Sequence, residues 1–131
     1  MILFINSSGF DKLHFGIISE KKVKEQIIKV KYPETEKTLS YLDKFLKANR
    51  ATLEQMEKIV VVTGSGSFTG VRLGVSMGLA FSLAKEIPLY AIESNEAPKN
   101  LKDLETMKLK KVNSRFDANY GAEPNITMSN K

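Results

Sequence analysis

The segment Gly64-Ser65-Gly66-Ser67-Phe68-Thr69-Gly70-Val71-Arg72-Leu73-Gly74 is the most informative part of this chain. It follows the apolar run 59–63, which is typical of a buried strand, and it leads into residues 71–85, which we predict to be helical. Glycines and hydroxyl residues at a strand-to-helix junction let the backbone approach another group closely. That group could be a phosphate, a partner chain or the neighbouring strand.

The loop at 64–70 does not fit either standard nucleotide fingerprint. A Walker A motif needs lysine after its last glycine, and neither Gly66 nor Gly70 is followed by lysine. The dinucleotide fingerprint fails because Thr69 stands where its third glycine belongs. We therefore favour a tight turn whose hydroxyls cap the helix, and keep a phosphate loop as the weaker alternative. The residues that would contact phosphate are Ser7, Ser8, Gly64, Gly66, Ser67 and Thr69.

The segment 71–85 carries a row of small residues. Gly70, Gly74, Gly78 and Ser82 recur every four positions, so one face of the helix has almost no side chains. Each glycine inside a helix costs about 1 kcal/mol relative to alanine. The repeat therefore indicates close approach by another backbone, either the sheet of this domain or a partner helix. The sequence leaves both open.

The whole chain alternates between strand and helix patterns. Periodicity gives an α/β domain with a mixed sheet, in which the first three strands form an antiparallel meander and helices flank the parallel strands. We predict a first unit at 1–106, and a remnant of a second lobe or a loosely ordered tail at 107–131. The predicted strands are 2–5, 14–18, 23–30, 59–63, 88–92 and 108–112, and the predicted helices are 35–48, 71–85 and 94–104, with a capped turn at 52–55.

Composition excludes several classes of protein. The 131 residues contain no cysteine and one histidine, so disulfides and thiolate metal sites are excluded and we expect no metal or cofactor. Residues 1–5 lack the features of a signal peptide, and the most apolar window, 73–84, is too short to span a bilayer. We expect a cytoplasmic protein without membrane contact. The net charge of +5 comes mostly from lysine, and we favour a solvated surface over an RNA-binding one.

Residues 64–74 resemble the Gly-Pro-Gly-Ser-Phe-Thr-Gly-Leu-Arg-Ile-Gly signature of the bacterial TsaB (YeaZ) family. Residues 2–8 resemble its opening strand and turn, 35–48 its first helix, and 87–89 the strand after the glycine helix. The resemblance implies a ribonuclease H-like lobe of the actin, sugar-kinase and Hsp70 superfamily. Two departures stand out: Asn6 replaces the usual aspartate, and Ser65 replaces the usual proline. An asparagine cannot act as a general base or hold Mg²⁺ by charge.

The resemblance implies a non-catalytic dimerisation subunit for the synthesis of threonylcarbamoyladenosine in tRNA. Its partners would be a TsaD-like catalytic subunit and a TsaE-like ATPase, with a homodimer when the partner is absent and only indirect contact with tRNA. The alternative is a nucleotide-binding phosphotransferase or a glycoprotease-like enzyme of the same superfamily, using Asn6, Ser7 and Ser8 with the loop at 64–70. The expected partner interface comprises Leu39, Leu42, Phe45, Leu46, Gly70, Val71, Gly74, Val75, Gly78 and Ser82.

Overall fold

A computed structural model describes residues 1–31, 35–64 and 68–113, with the side chains of residues 35 and 68 left out. Its core is a six-stranded sheet in the order β3-β2-β1-β4-β5-β6. The strands are β1 (Ile2–Asn6), β2 (Lys12–Ile18), β3 (Val23–Lys29), β4 (Lys58–Thr63), β5 (Leu89–Glu93) and β6 (Lys110–Val112). The helices are α1 (Thr35–Ala48) and α2 (Phe68–Lys85), with short 3-10 helices at Leu53–Gln55, Ser94–Glu96 and Leu101–Glu105.

The sheet is mixed, as the sequence predicts. Strands β1, β2 and β3 form an antiparallel meander, whereas β1, β4 and β5 run parallel to one another. The edge strand β6 returns antiparallel to β5. The α/β class with a three-strand meander is therefore confirmed.

The central strands β1 and β4 are apolar on both faces because both faces of the sheet are covered. One face carries Leu3 and Ile5, which lie in a core cluster with Phe45 of α1 and Val75 of α2. The other face packs mainly against the 3-10 helix at Leu101–Glu105. Continuous apolar runs in these strands thus reflect a sheet placed between two layers.

Three predicted elements differ in detail. Helix α2 begins at Phe68, three residues earlier than predicted. The single helix predicted at 94–104 is two 3-10 helices, because Pro98 lies between them and cannot continue a helical hydrogen-bond ladder. Strand β6 begins at Lys110, two residues later than predicted, and pairs with β5. Of the segment predicted as a remnant or tail at 107–131, residues 114–131 lie outside the described residues.

Within the described ranges, none of the helices has the length and apolar character needed to cross a bilayer. In the same ranges, no three side chains of the histidine, aspartate or glutamate type are grouped so that they could hold a metal ion.

Candidate functional site

The carboxyl end of β1 and the start of α2 meet at the loop singled out by the sequence. The Ser7 side chain is almost fully buried, and its hydroxyl donates a 2.5 Å hydrogen bond to the carbonyl oxygen of Gly70. The first turn of α2 is thereby joined to the turn that follows β1. Ser7 therefore fixes where the first turn of α2 sits relative to β1.

Asn6 organises the turn that follows β1. Its Oδ1 accepts hydrogen bonds from the backbone N–H of Ser8 at 3.0 Å and from the Ser8 hydroxyl at 2.6 Å. Such a contact two residues ahead is an Asx turn, which stabilises a change of chain direction. A serine hydroxyl has one proton to donate. Ser7 and Ser8, two predicted phosphate contacts, both donate that proton within the chain.

The other predicted phosphate contacts are only partly described. Gly64 has a φ of +97°, a conformation that favours glycine, and a Cβ there would lie 3.3 Å from the backbone nitrogen of Ser94. Thr69 is exposed on the first turn of α2. Gly66 and Ser67 lie outside the described residues. Position 64 therefore requires glycine for structural reasons, independent of any ligand.

The glycine row of α2 faces the sheet of the same chain at two positions. A Cβ on Gly74 would lie 2.6 Å from the Ser7 Oγ, and a Cβ on Gly78 would lie 2.9 Å from a methyl group of Val61. Side chains at these positions would push the helix off the strands. The Ser82 hydroxyl donates to the carbonyl oxygen of Ile87, which ties the end of α2 to the segment before β5. Of the two explanations the sequence left open, close approach within the same domain holds for both glycines, at the turn after β1 for Gly74 and at the sheet for Gly78.

Most of the remaining expected interface residues lie in the core. The apolar stripe of α1 is used against the sheet, where the rings of Phe45 and Phe15 have centroids 5.9 Å apart. Leu39 differs, since 40% of it is exposed. The buried members of the expected interface are Leu42, Phe45, Leu46, Val71 and Val75, none more than 8% exposed. Because the sheet takes these side chains, they are not available on the surface of the described chain.

A shallow groove, with a volume of about 400 Å³, lies between α1 and α2. Its lining is mostly apolar and includes Leu39 from α1. The row Leu73, Met77 and Phe81, spaced by four residues, supplies much of the α2 side. Met77 is buried, with 5% of it exposed, whereas Leu73 and Phe81 are partly buried against the core. The sequence indicated that these three residues could be buried or covered by a partner, but it did not include them in the expected interface, although their spacing marks a second apolar stripe. The complete lining is Leu39, Thr69, Arg72, Leu73, Ser76, Met77, Ala80 and Phe81.

An ion pair fastens the end of α2 to the turn before β4. The Lys85 Nζ lies 2.7 Å from Oε2 of Glu54. The hydrogen bond from Lys85 holds the pKa of the Glu54 carboxyl below its usual value, aided by a backbone hydrogen bond and the lysine charge. Both side chains are largely exposed. This pair anchors the helix end and lies away from the loop at 64–70.

Comparison with known proteins places this chain in a family. The family model described as "TsaD: tRNA N6-adenosine threonylcarbamoyltransferase" matches residues 33–108, more than half of the chain. The tRNA threonylcarbamoyladenosine biosynthesis protein TsaB of Bacillus subtilis (strain 168) is 30% identical over 96 residues, which cover 72% of this chain and 42% of that protein. TsaB of Buchnera aphidicola subsp. Schizaphis graminum (strain Sg) is 27% identical over 94 residues, covering 72% of this chain and 44% of that protein. The chain thus spans less than half the length of these curated relatives.

Solved structures show the same fold. YeaZ from Pseudomonas aeruginosa superposes with a TM-score of 0.65 at 18% identity, covering 70% of this chain and 43% of that one. RuvC of T. thermophilus in complex with a Holliday junction substrate superposes with a TM-score of 0.53 at 12% identity, covering 85% of this chain and 98% of that one. At these identities the two structures support the ribonuclease H-like fold alone. The family model, which matches more than half of the chain, and the two TsaB relatives lead to one conclusion: the chain belongs to the TsaB (YeaZ) family.

Proposed function

We propose that this chain is a non-catalytic scaffold subunit that supports a TsaD-like catalytic subunit in the synthesis of threonylcarbamoyladenosine in tRNA. Two curated relatives are named for that biosynthesis, and the matching family model is that of the transferase itself. The docking surface is the groove between α1 and α2. A TsaE-like ATPase completes the assembly, and the chain acts in the cytoplasm.

The observation that carries this proposal is the apolar surface left open between the two helices. Leu39 is 40% exposed, and it lines the groove together with Leu73 and Phe81. An apolar surface rimmed by polar groups is typical of a protein interaction site. Here Thr69, Arg72 and Ser76 supply the polar members of the lining.

The two serines at the end of β1 favour a structural role for the nearby loop. Ser7 and Ser8 donate their hydroxyl protons to Gly70 and Asn6, so neither has a proton to offer a phosphate in this arrangement. If the chain were instead a nucleotide-binding phosphotransferase, it would bind ATP with Mg²⁺ by itself. Calorimetry on the purified chain measures this directly, and a saturable heat of binding would favour the enzyme over the scaffold.

The test of docking uses one charge-introducing variant and a matched control. Leu39→Glu places a carboxylate in the groove, whereas Ile27→Glu places one at another exposed apolar position, on β3. Size-exclusion chromatography with light scattering detects the complex with the TsaD-like subunit, and calorimetry gives its dissociation constant. We expect Leu39→Glu to weaken binding by about thirtyfold or more, as loss of an interface hot spot does, and Ile27→Glu to bind like the wild type. Equal affinity of both variants and wild type would contradict the docking surface.

In the absence of the catalytic subunit, the same groove pairs two copies of the chain. A two-fold dimer places the same patch on both subunits, so Leu39→Glu introduces two carboxylates into one interface. Sedimentation equilibrium of the purified chain should show a dimer that Leu39→Glu shifts to monomer and Ile27→Glu does not.

The cellular test of docking is complementation of a strain lacking its own TsaB protein, with the modified nucleoside measured by mass spectrometry. Normal nucleoside levels with Leu39→Glu would argue against docking through this groove.

A further inference from the structure

The β3 edge of the sheet, at the end where β1 leads into β2, carries a cluster of cationic and exposed apolar side chains. It lies where the turn between β1 and β2 meets the end of β3, and we call it the basic corner. A hydrogen bond of 2.9 Å from the backbone nitrogen of Val30 to the carbonyl oxygen of Asp11 joins these two segments. The members of the basic corner are Phe10, Lys12, Ile27, Lys29 and Lys31.

Lys12 and Lys29 are the centre of the basic corner. They are direct partners in the antiparallel pairing of β2 with β3, so their side chains leave the same face of the sheet next to each other. Both are exposed, and neither makes an ion pair with the residues that the structure describes. Like charges directly opposite each other destabilise a sheet. A bound anion would relieve this repulsion.

The position of Lys12 is defined by its own turn. Its aliphatic stem lies across Gly9, where a Cβ would come within 3.0 Å of the Lys12 Cγ. Lys31 follows the end of β3 and is also exposed. Asp11 is the acidic residue of this turn, and Glu25, on the same face of β3, lies 2.8 Å from the His14 ring nitrogen. The three lysines outnumber these carboxylates, so the basic corner stays cationic.

Phe10 adds an aromatic surface to this charge. It is 70% exposed at the tip of the turn, and Ile27, on the same strand as Lys29, is 59% exposed. Alternation along β3 places Ile27 and Lys29 on one face of the sheet. An exposed phenyl ring beside cationic side chains is the combination with which proteins hold unpaired nucleotides, through stacking and phosphate contacts.

Protection of the sheet edge is a simpler explanation for some of these lysines. Charged side chains on an edge strand discourage pairing with another chain, and β3 is an edge strand. That explanation covers Lys29 but not Lys12, which lies on the inner strand β2. It also gives no reason for an exposed phenyl ring at residue 10, since an apolar side chain does not protect an edge.

We propose that the basic corner binds single-stranded RNA, with an unpaired base stacked on Phe10 and the adjoining phosphates contacted by Lys12 and Lys29. The choice of RNA among polyanions rests on the proposed function, because the relatives are named for a tRNA modification. This adds a direct tRNA contact to the indirect one expected from the sequence. The groove between α1 and α2 is a separate surface, so one chain can contact RNA and a protein partner together.

The first experiment tests the phosphate contacts on the purified chain. A fluorescent RNA hairpin with an unpaired loop is titrated at several salt concentrations, and binding is followed by anisotropy. Lys12→Gln/Lys29→Gln should weaken binding by about tenfold or more and reduce the slope of log K against log salt by about 1.4, at about 0.7 per phosphate contact. The control Lys44→Gln/Lys99→Gln removes the same charge from exposed positions elsewhere and should leave the slope unchanged.

The second experiment tests stacking. The wild type should bind the hairpin more tightly than a fully paired RNA duplex, because only an unpaired base can lie on Phe10. Phe10→Ala should weaken hairpin binding by about fivefold or more and remove this preference. Leu83→Ala is the matched control, since Leu83 is a similarly exposed apolar side chain on α2 at 76% exposure.

Three outcomes would overturn the proposal: no RNA binding by the wild type at physiological salt, an equal loss with the Lys44/Lys99 control, or equal affinity for hairpin and duplex. A melting curve for each variant shows that it is folded. Failure of this proposal is distinguishable from failure of the scaffold function. RNA binding is measured on the chain alone, whereas the scaffold function is measured by complex formation through Leu39.

Discussion

A Cβ atom on Gly74 would lie 2.6 Å from the hydroxyl oxygen of Ser7, closer than side-chain carbons approach in folded proteins. The same hydroxyl is hydrogen-bonded to the carbonyl of Gly70, one turn earlier on α2. Ser7 thus both occupies the space that Gly74 leaves open and holds the start of the helix. The missing side chain at Gly74 is a condition for that hydrogen bond.

Gly74→Ala should therefore destabilise the protein. Alanine in a helix gains about 1 kcal/mol over glycine, but the new methyl group displaces a buried hydroxyl whose hydrogen bond is worth about 1 to 3 kcal/mol when lost. We expect a net loss of about 1 kcal/mol, measured by urea denaturation.

The control is Gly74→Ala in the Ser7→Ala background. There the hydroxyl is gone and the nearest remaining Ser7 atom, its Cβ, is 3.8 Å away. In that background the change to alanine should be neutral or stabilising, so the same sign in both backgrounds would contradict the contact.

The fold was predictable because its signals are local. Apolar runs predict β1 and β4, and the four-residue spacing of Gly74 and Gly78 predicts a helix with one bare face. What that face touches was not predictable, because Ser7 and Gly70 are 63 residues apart and their contact depends on how β1 and β4 pair. The glycine spacing indicates that another part of a protein lies close to the bare face of α2. Only the assembled sheet identifies that part.

The candidate site was less predictable than the fold. An apolar stripe such as Leu42 and Phe45 on α1 looks the same whether it meets a sheet or another subunit, since both surfaces bury the same side chains. The structure buries these two and leaves Leu39 exposed. The basic corner was also beyond sequence reasoning, because Lys12 and Lys29 become neighbours only through the register of β2 and β3.

Gly16→Ala should weaken the packing of the 3-10 helix at Leu101–Glu105 against the sheet. A Cβ on Gly16 would lie 2.5 Å from a methyl carbon of Leu101, which is 2% exposed and has little room to move. We expect a loss of about 1 to 3 kcal/mol in the free energy of unfolding, typical of overpacking a core. Leu101→Val removes the clashing methyl carbon. Combined with Gly16→Ala it should cost less than the sum of the two single variants, and simple additivity would show that the two sites do not touch.

The pair between Lys85 and Glu54 should make stability depend on acid pH. The pKa of the Glu54 carboxyl is lowered in the folded state, chiefly by the hydrogen bond from Lys85. A lowered carboxyl pKa contributes stability that is present above the unfolded-state pKa and is lost as pH falls through the folded-state value. Lys85→Gln should therefore raise the pKa of Glu54 towards its usual value, measured by NMR titration of its side-chain carboxyl carbon. Lys99→Gln, which removes a remote exposed charge, should leave that pKa where it is in the wild type. The stability difference between Lys85→Gln and wild type should shrink at acid pH, and a difference that grows on acidification would contradict the assignment.

We expect Lys102 to hold the 3-10 helix at Leu101–Glu105 against the turn between β2 and β3. Its Nζ lies 2.6 Å from the carbonyl oxygens of Ser19 and Glu20 and 2.9 Å from a carboxylate oxygen of Glu105. An ammonium group has three protons, so these acceptors use all of them. Lys102→Met keeps the aliphatic stem and removes only the charge and its hydrogen bonds. Because the side chain is partly exposed, we expect a loss of about 1 kcal/mol in the free energy of unfolding.

The informative measurement for Lys102 is local hydrogen exchange. Amides of the turn between β2 and β3, where Ser19 N donates to the Lys22 carbonyl at 3.0 Å, should exchange faster in Lys102→Met. Amides in β4 and β5, which exchange through global unfolding, should exchange only about fivefold faster, as the loss of about 1 kcal/mol requires, because no Lys102 contact reaches them among the described residues. Lys99→Met serves as the control, since Lys99 is an exposed lysine nearby in sequence. An acceleration of the turn amides no greater than that of the β4 and β5 amides would mean that Lys102 does not hold the turn locally.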